Sequence, residues 1–363
     1  MNLIARISLP LLMLFMVAGC GFKDIDKRFF VVNTGIDWSG NKDKPYRITI
    51  QLAIPSPKIE PGTSKNQYET IDAPTIAEGI RMLKAYVDKE LDFGHCKLFV
   101  IGDGMAKQDI RPVINWMLRR RDIQNGANVA IGEPTAKDIL NIHPPSERYP
   151  GNALLLSFGT DGTESSYTYV ETISGLERRL TEDGLDPILP VITTDGKESF
   201  IINRIALFDK QRLKLSLPPA DSQLFTQLSN HFTKSSMHGM FKGDKIVSAI
   251  NSFQSSFHIQ HGAEPAQIRM KVKMKVVFEE APDGLFNQSW APLEKQLGEE
   301  YEQTANKLLR KIQQAGLDPF GFGLRYRAYH PGENNWKKWK DLYPDANLSV
   351  KAQVKVEGTG LIK

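Results

Sequence analysis

The hydrophobic pattern is most regular in the last third of the chain. From Ile268 to Phe278 the apolar positions Ile268, Met270, Val272, Met274 and Val276 alternate with Arg269, Lys271, Lys273 and Lys275. Near the C-terminus Leu348, Val350, Ala352, Val354 and Val356 alternate with Ser349, Lys351, Gln353 and Lys355. Period two with a charged outer face predicts an antiparallel sheet that is wet on one side. Lysines on such strands also discourage edge-to-edge association. Between the two runs a helix is predicted from about Pro292 to Ala315, with Leu293, Leu297, Tyr301, Ala305, Leu308 and Ile312 as its apolar stripe and Gly316 at C′. A helix laid across a sheet buries both apolar faces. The lysine rows then read either as a solvated face or as a surface turned to lipid headgroups or a partner.

The first half is more mixed. Tyr46 to Leu52 alternates and is rich in β-branched residues, which predicts a strand. Ile54 to Thr70, with Pro55, Pro57, Pro61 and Gly62, reads as a surface loop. Thr75 and Glu78 form a capping box, and Ile76, Ile80, Leu83, Val87 and Leu91 fall on one helical face. Strands are predicted at Leu98–Ile101 and Val129–Ile131, with a helix over Ile110–Leu118 between them. After Gly132 prolines break every long period, and Ala153 to Leu156 is expected to be a short strand. The fold class expected is α+β: several mixed sheets with packed helices, ending in an antiparallel sheet crossed by a long helix. A boundary is placed at Pro190–Lys197, which gives an N-terminal α/β region over 20–194, divisible near 132, and a C-terminal α+β domain over 195–363.

The opening residues carry a different signal. Arg6 is the only charge before position 20, Ile7 to Val17 is an apolar run containing Pro10, and Val17-Ala18-Gly19-Cys20 closes it. This is a secretory signal with a small-residue cleavage site. A cysteine directly after Ala-Gly makes it the lipoprotein form, with residues 1–19 removed and Cys20 acylated. Eleven residues are too few to span a bilayer, which takes about 20. Each buried acyl methylene contributes about 0.8 kcal/mol, so two or more chains anchor the protein without spanning.

Composition adds limits. Of 363 residues 41% are hydrophobic and 24% charged, which suits a water-soluble globular region of two or three domains. The formal charge of +4 is too balanced for nucleic acid. With Cys20 acylated, Cys96 has no partner for a disulfide, and its apolar setting suits core packing. Gly102-Asp103-Gly104 follows a strand but lacks the rest of a phosphate loop. The histidine pairs His231/His238 and His258/His261 lack Cys or carboxylate partners at ligand spacing, so no metal or other cofactor is expected. Arg119-Arg120-Arg121 sits at a helix end, where it complements the helix dipole or meets a partner. No hydrolase motif is present.

An ordered series of motifs resembles the Ger(x)C lipoproteins, the C subunits of GerA-type germinant receptors of endospore-forming bacteria. It begins with Gly19-Cys20, Asp24-Ile25-Asp26 and Gly35-Ile36-Asp37, and continues through Tyr46–Gln51, Phe93–Lys97 and Val100-Ile101-Gly102. Met117–Asp122, Ala136–Leu140, Ala206-Leu207-Phe208, Asp318–Gly323, Trp336–Trp339 and Gly360-Leu361-Ile362 complete it. Phe22, Cys96 and Pro218-Pro219 depart from the family pattern. The resemblance implies a non-enzymatic subunit on the outer face of the spore inner membrane. Its partners there would be two integral-membrane subunits, A and B, in a complex that triggers nutrient germination. A lipid-anchored solute-binding protein is the alternative, and it requires two similar lobes around a cleft. Phe322, Trp336 and Trp339, aromatics among glycines and lysines, are the expected partner surface.

Overall fold

The computed structural model describes residues 27–53, 66–142, 144, 150–158, 165–196, 198–232, 234–260, 265–282, 284–285 and 289–359. Its first half runs β1 (Arg28–Trp38), β2 (Tyr46–Ala53), β3 (Asn66–Ala73), α1 (Ile76–Leu83), β4 (Glu90–Asp92), β5 (Leu98–Gly102), α2 (Asp103–Ala106) and α3 (Arg111–Arg119). Then come β6 (Asn128–Glu133), α4 (Ala136–Leu140), α5 (Pro150–Leu156), α6 (Ile173–Thr181), β7 (Ile188–Asp195), β8 (Ser199–Phe208), β9 (Leu213–Leu217) and α7 (Pro219–Leu228). The remainder is β10 (Ser235–Phe241), β11 (Asp244–Gln260), β12 (Gln267–Glu280), α8 (Ala291–Gln314), α9 (Phe322–Tyr329), α10 (Asn335–Leu342) and β13 (Asn347–Gly358).

The first sheet has the order β3-β2-β1-β5-β6-β7-β8-β9, with the short β4 also beside β1. Its centre, β1-β5-β6-β7, is parallel, and antiparallel hairpins close both sides. Parallel strands need helical crossovers, so both faces are covered and the strands read as unbroken apolar runs. All five residues of β5 are buried. Phe99 and Ile101 join the core under α1, α3 and α6, while Leu98 and Val100 pack with Leu140 of α4 and Leu154 of α5 on the other face.

In the second sheet, β10-β11-β12-β13, strands β12 and β13 match the period-two reading. Ile268, Met270, Val272, Met274 and Val276 are buried against α8, whose Leu293, Leu297, Tyr301, Ala305, Leu308 and Ile312 are all buried. Each such side chain contributes about 1.5–3 kcal/mol of apolar burial. The intervening Arg269, Lys271, Lys273 and Lys275 are exposed. One core then runs from this sheet through α7 to Ile205 and Leu207 of β8, so the two sheets share their packing.

Several expectations need correction. The second sheet is not wholly antiparallel: β13 runs parallel to β12, because a helical crossover and not a hairpin joins them. Asn66–Thr70 is strand and not loop, paired along β2. The helix begun at Thr75 stops at Leu83, and Leu91 lies in β4 opposite Phe29, so its helical spacing was coincidental. Ala153 to Leu156 belongs to α5; a four-residue apolar run does not separate strand from buried helix by period. Pro190, at the boundary placed over Pro190–Lys197, lies inside β7. Pairing with β6 begins only at Val191, so the missing N–H of Pro190 costs that ladder nothing.

Candidate functional site at the junction of the two sheets

Most candidate chemistry resolves into structure. Cys96 is fully buried, its Sγ 3.4 Å from Thr34 Oγ1, and burial pushes the thiol up to about 12, so it is no nucleophile. The space over Gly102 is filled by the carboxylate of Asp37, which would lie 1.8 Å from a Cβ there. Asp37 Oδ1 accepts the Ala136 N–H (2.7 Å) and Oδ2 the Lys137 N–H (3.0 Å), so the protein's own anion occupies the start of α4. Its Gly35-Ile36-Asp37 motif is thereby explained as a cap. His231 stacks on Tyr169 with ring centroids 4.1 Å apart, and His238 meets Ser236. Among the described residues no three His, Cys, Asp or Glu side chains gather as a metal site. Arg120 pairs with Asp122 and lies over the Phe93 ring.

Cys20 lies outside the described residues. The aromatic surface expected at Phe322, Trp336 and Trp339 is a correction: Phe322 and Trp339 are each 1% exposed. Phe322 meets Phe257 edge-on, and Trp339 stacks on Tyr343 at 5.3 Å. Apolar burial draws these rings inward, and only Trp336 stays half-buried, beneath Lys340.

The densest polar geometry lies where the two sheets meet, and it comes from a repeated tetrapeptide. Gly184-Leu185-Asp186-Pro187 follows α6, and Gly316-Leu317-Asp318-Pro319 follows α8. Both glycines have positive φ, +80° and +72°. At the second, Leu317 N–H bonds Ile312 O and Gly316 N–H bonds Gln313 O, a Schellman ending. The two copies then bond each other. Asp186 N–H donates to Asp318 O (2.9 Å), and Asp318 N–H donates to Asp186 Oδ2 (2.6 Å).

Each aspartate is further enclosed. Asp318 Oδ1 accepts from Gly321 N–H (3.0 Å) and Phe322 N–H (2.9 Å), and Oδ2 from Gly323 N–H (2.6 Å), which wraps the loop around the carboxylate at the start of α9. Burial raises the Asp318 carboxyl to about 7, against the pull of those three donors, and the nearby Asp186 charge adds to the rise. Burial likewise raises Asp186 and lowers Lys210. Lys210 Nζ sits 3.7 Å from Asp186 and donates to the carbonyls of Glu182 and Leu185 (2.7 Å each) and of Arg179. Arg179 reaches Glu171 (3.0 Å), Tyr169 Oη (2.7 Å) and the carbonyls of Asp186 (3.0 Å) and Pro319 (3.1 Å). Gly184 and Gly323 touch so closely that no Cβ fits at either.

Every charge here is occupied by backbone or by an opposite charge, so the cluster is a fastener and not a reaction centre. It ties the first sheet's last crossover to the second sheet's helices. Beside it opens a cleft of about 400 Å³. Nothing in local periodicity singles out Arg179, Asp186 or Lys210. The readable signal was the duplication of Gly-Leu-Asp-Pro.

These features define a two-sheet α+β protein joined by a buried polar knot, and comparison places it. Residues 21–194 match the family described as spore germination protein N-terminal domain, and residues 203–360 match spore germination B3/GerAC like, C-terminal. The chain belongs to the Ger(x)C spore germination family. It is 23% identical to YfkR of Bacillus subtilis, a protein named for spore germination, over 99% of this chain and 97% of that one. Spore germination protein KC of Bacillus subtilis is 24% identical, covering 80% and 78%. GerQC of Bacillus cereus is 21% identical, covering 75% and 76%. The crystal structure of the GerBC protein superposes with a TM-score of 0.60 at 16% identity over 89% of this chain and 97% of that one, so the two share a fold.

Proposed function

We propose that this chain is the C subunit of a nutrient germinant receptor. In this reading it has no catalytic activity and is held by lipid on Cys20 at the outer face of the spore inner membrane, beside integral-membrane A and B subunits. One observation carries the proposal. The two family regions follow one another along the chain, and the first matched residue, 21, directly succeeds the cysteine that the signal pattern marks for acylation. Among the described residues no helix is long and apolar enough to cross a membrane, which agrees with attachment by lipid. The buried fastener suits a subunit that holds shape between partners. The two sheets differ in strand number and order, which argues against the paired lobes of a solute-binding protein.

The test is a pull-down from detergent-solubilised spore inner membrane with the tagged chain as bait. Co-purification of two multi-spanning proteins, lost with C20A, is the expected result. Recovery of the chain alone, under conditions that preserve other membrane complexes, would overturn the proposal.

A further inference from the structure

The cleft beside the fastener has the makings of a ligand site. Its walls come from both sides of the junction: Arg178 of α6 on one, Arg325 of α9 on the other, with Tyr169, Phe257 and Phe320 between. Both arginines are exposed, and neither guanidinium has an ion pair among the described residues; Arg325 lies over the Tyr329 ring at 5.5 Å. Arg179, in contrast, is held by Glu171 and is not available. Arg178 feels Glu171 only at longer range, and two arginines without ion pairs on the walls of one small cleft favour an anion there.

The floor is formed by strand β11, part of whose outer edge has no strand beside it among the described residues. Ser255 is buried, lines the cleft, and its hydroxyl has no hydrogen-bond partner. Strand β10 covers β11 only as far as Ile250, and beyond it the outer edge of β11 has no neighbouring strand among the described residues. Asn230, at φ +53°, grips that edge once: its Oδ1 accepts the Ser255 N–H and its Nδ2 donates to Ser255 O, both at 2.8 Å. Antiparallel pairing alternates the direction of these groups. Phe257, two residues on, therefore turns its N–H and C=O to the same open edge.

From these we infer that the cleft binds a small organic carboxylate with a flat apolar body. Its carboxylate would lie by Arg178 and Arg325, its polar atoms at the open strand edge, and its body against the aromatic wall. The volume suits a small molecule. A phosphate dianion with its larger oxygen set is less well matched, since Arg179, the third arginine of the lining, is held by Glu171. The inference is independent of the receptor reading.

The test uses the full chain in detergent micelles with 3-phenylpropionate as probe and 3-phenylpropanamide as its uncharged counterpart, followed by saturation-transfer NMR and calorimetry. The carboxylate should bind in the millimolar range or tighter, and the amide roughly tenfold or more weakly. R178A and R325A should each weaken the carboxylate by a similar factor without changing the melting temperature, because both side chains are exposed. Equal binding of acid and amide, wild-type affinity in both arginine variants, or no binding of 3-phenylpropionate at 20 mM would each overturn the inference.

Discussion

Asp318 should give the fold a pH-dependent weakness that its asparagine variant lacks. Its carboxyl stands near 7 in the folded chain, against an ordinary value of 3.8, chiefly because it is buried. The folded state therefore binds this proton more tightly than the unfolded state does. The stabilisation from that difference is fully present below pH 3.8 and is lost as pH rises to about 7. At 1.36 kcal/mol per pH unit the interval corresponds to roughly 4 kcal/mol. Other carboxylates work oppositely: bonding to Arg47 lowers Asp72, and bonding to Arg111 lowers Asp109, so each favours folding as pH rises above its own range. The informative quantity is thus the difference between wild type and D318N. Asparagine keeps an acceptor oxygen but turns an NH₂ toward one of the three N–H donors, a cost of about 1–3 kcal/mol that does not vary with pH. Urea unfolding, followed by tryptophan fluorescence at half-unit steps from pH 4 to 8, should show the wild-type advantage shrinking until about pH 7 and then levelling. An advantage that stays constant, or grows with pH, would mean that the three N–H donors and Lys210 outweigh burial.

Two further tests probe the same region. G184A should be costlier than G316A, although both glycines hold the same place in the repeat. Both lose about 1–2 kcal/mol to a left-handed backbone, but a Cβ at Gly184 lies 2.4 Å from Leu324 N, whereas Gly316 faces open space. The extra overpacking should add about 1–3 kcal/mol, and equal losses in chemical denaturation would refute the contact. W339A should destabilise by about 3–5 kcal/mol, while W336A, half-buried, should cost under about 1.5 kcal/mol; the reverse order in melting experiments would contradict the packing.

How far the sequence discloses this fold depends on where each element keeps its faces. Strands β12 and β13 were legible because one side is wet and the other packed, and α8 because its stripe is unbroken. Strand β11 was not: bulges at Val247/Ser248 and Ile250/Ser252 shift its phase, so its apolar residues never settle on one parity. Strand β1 hides because Asn33, Thr34 and Asp37 are buried polar residues inside a central strand, each satisfied by a side chain or helix start elsewhere. The junction was half readable. Gly316 marks a helix end in any reading, but the partner of Asp318 is Asp186, 132 positions away, and no local period connects them. The aromatic cluster failed as a surface for a related reason: glycines beside Phe322 suggested exposure, whereas they allow the loop to press against Gly184 and Trp339.

Helix α8 does more than cover a face. Glu294, Glu302 and Asn306 accept the outward N–H groups of Val356, Ala352 and Val350, so the rim of β13 is capped at three places by side chains of its own crossover. At the opposite margin the sheet stops early and leaves half of β11 uncovered. The sheet therefore has a handed capacity for growth. A strand arriving from another chain finds three of the β13 donors already taken and meets a more open edge along the second half of β11, so pairing rim to rim between copies is hindered on the β13 side.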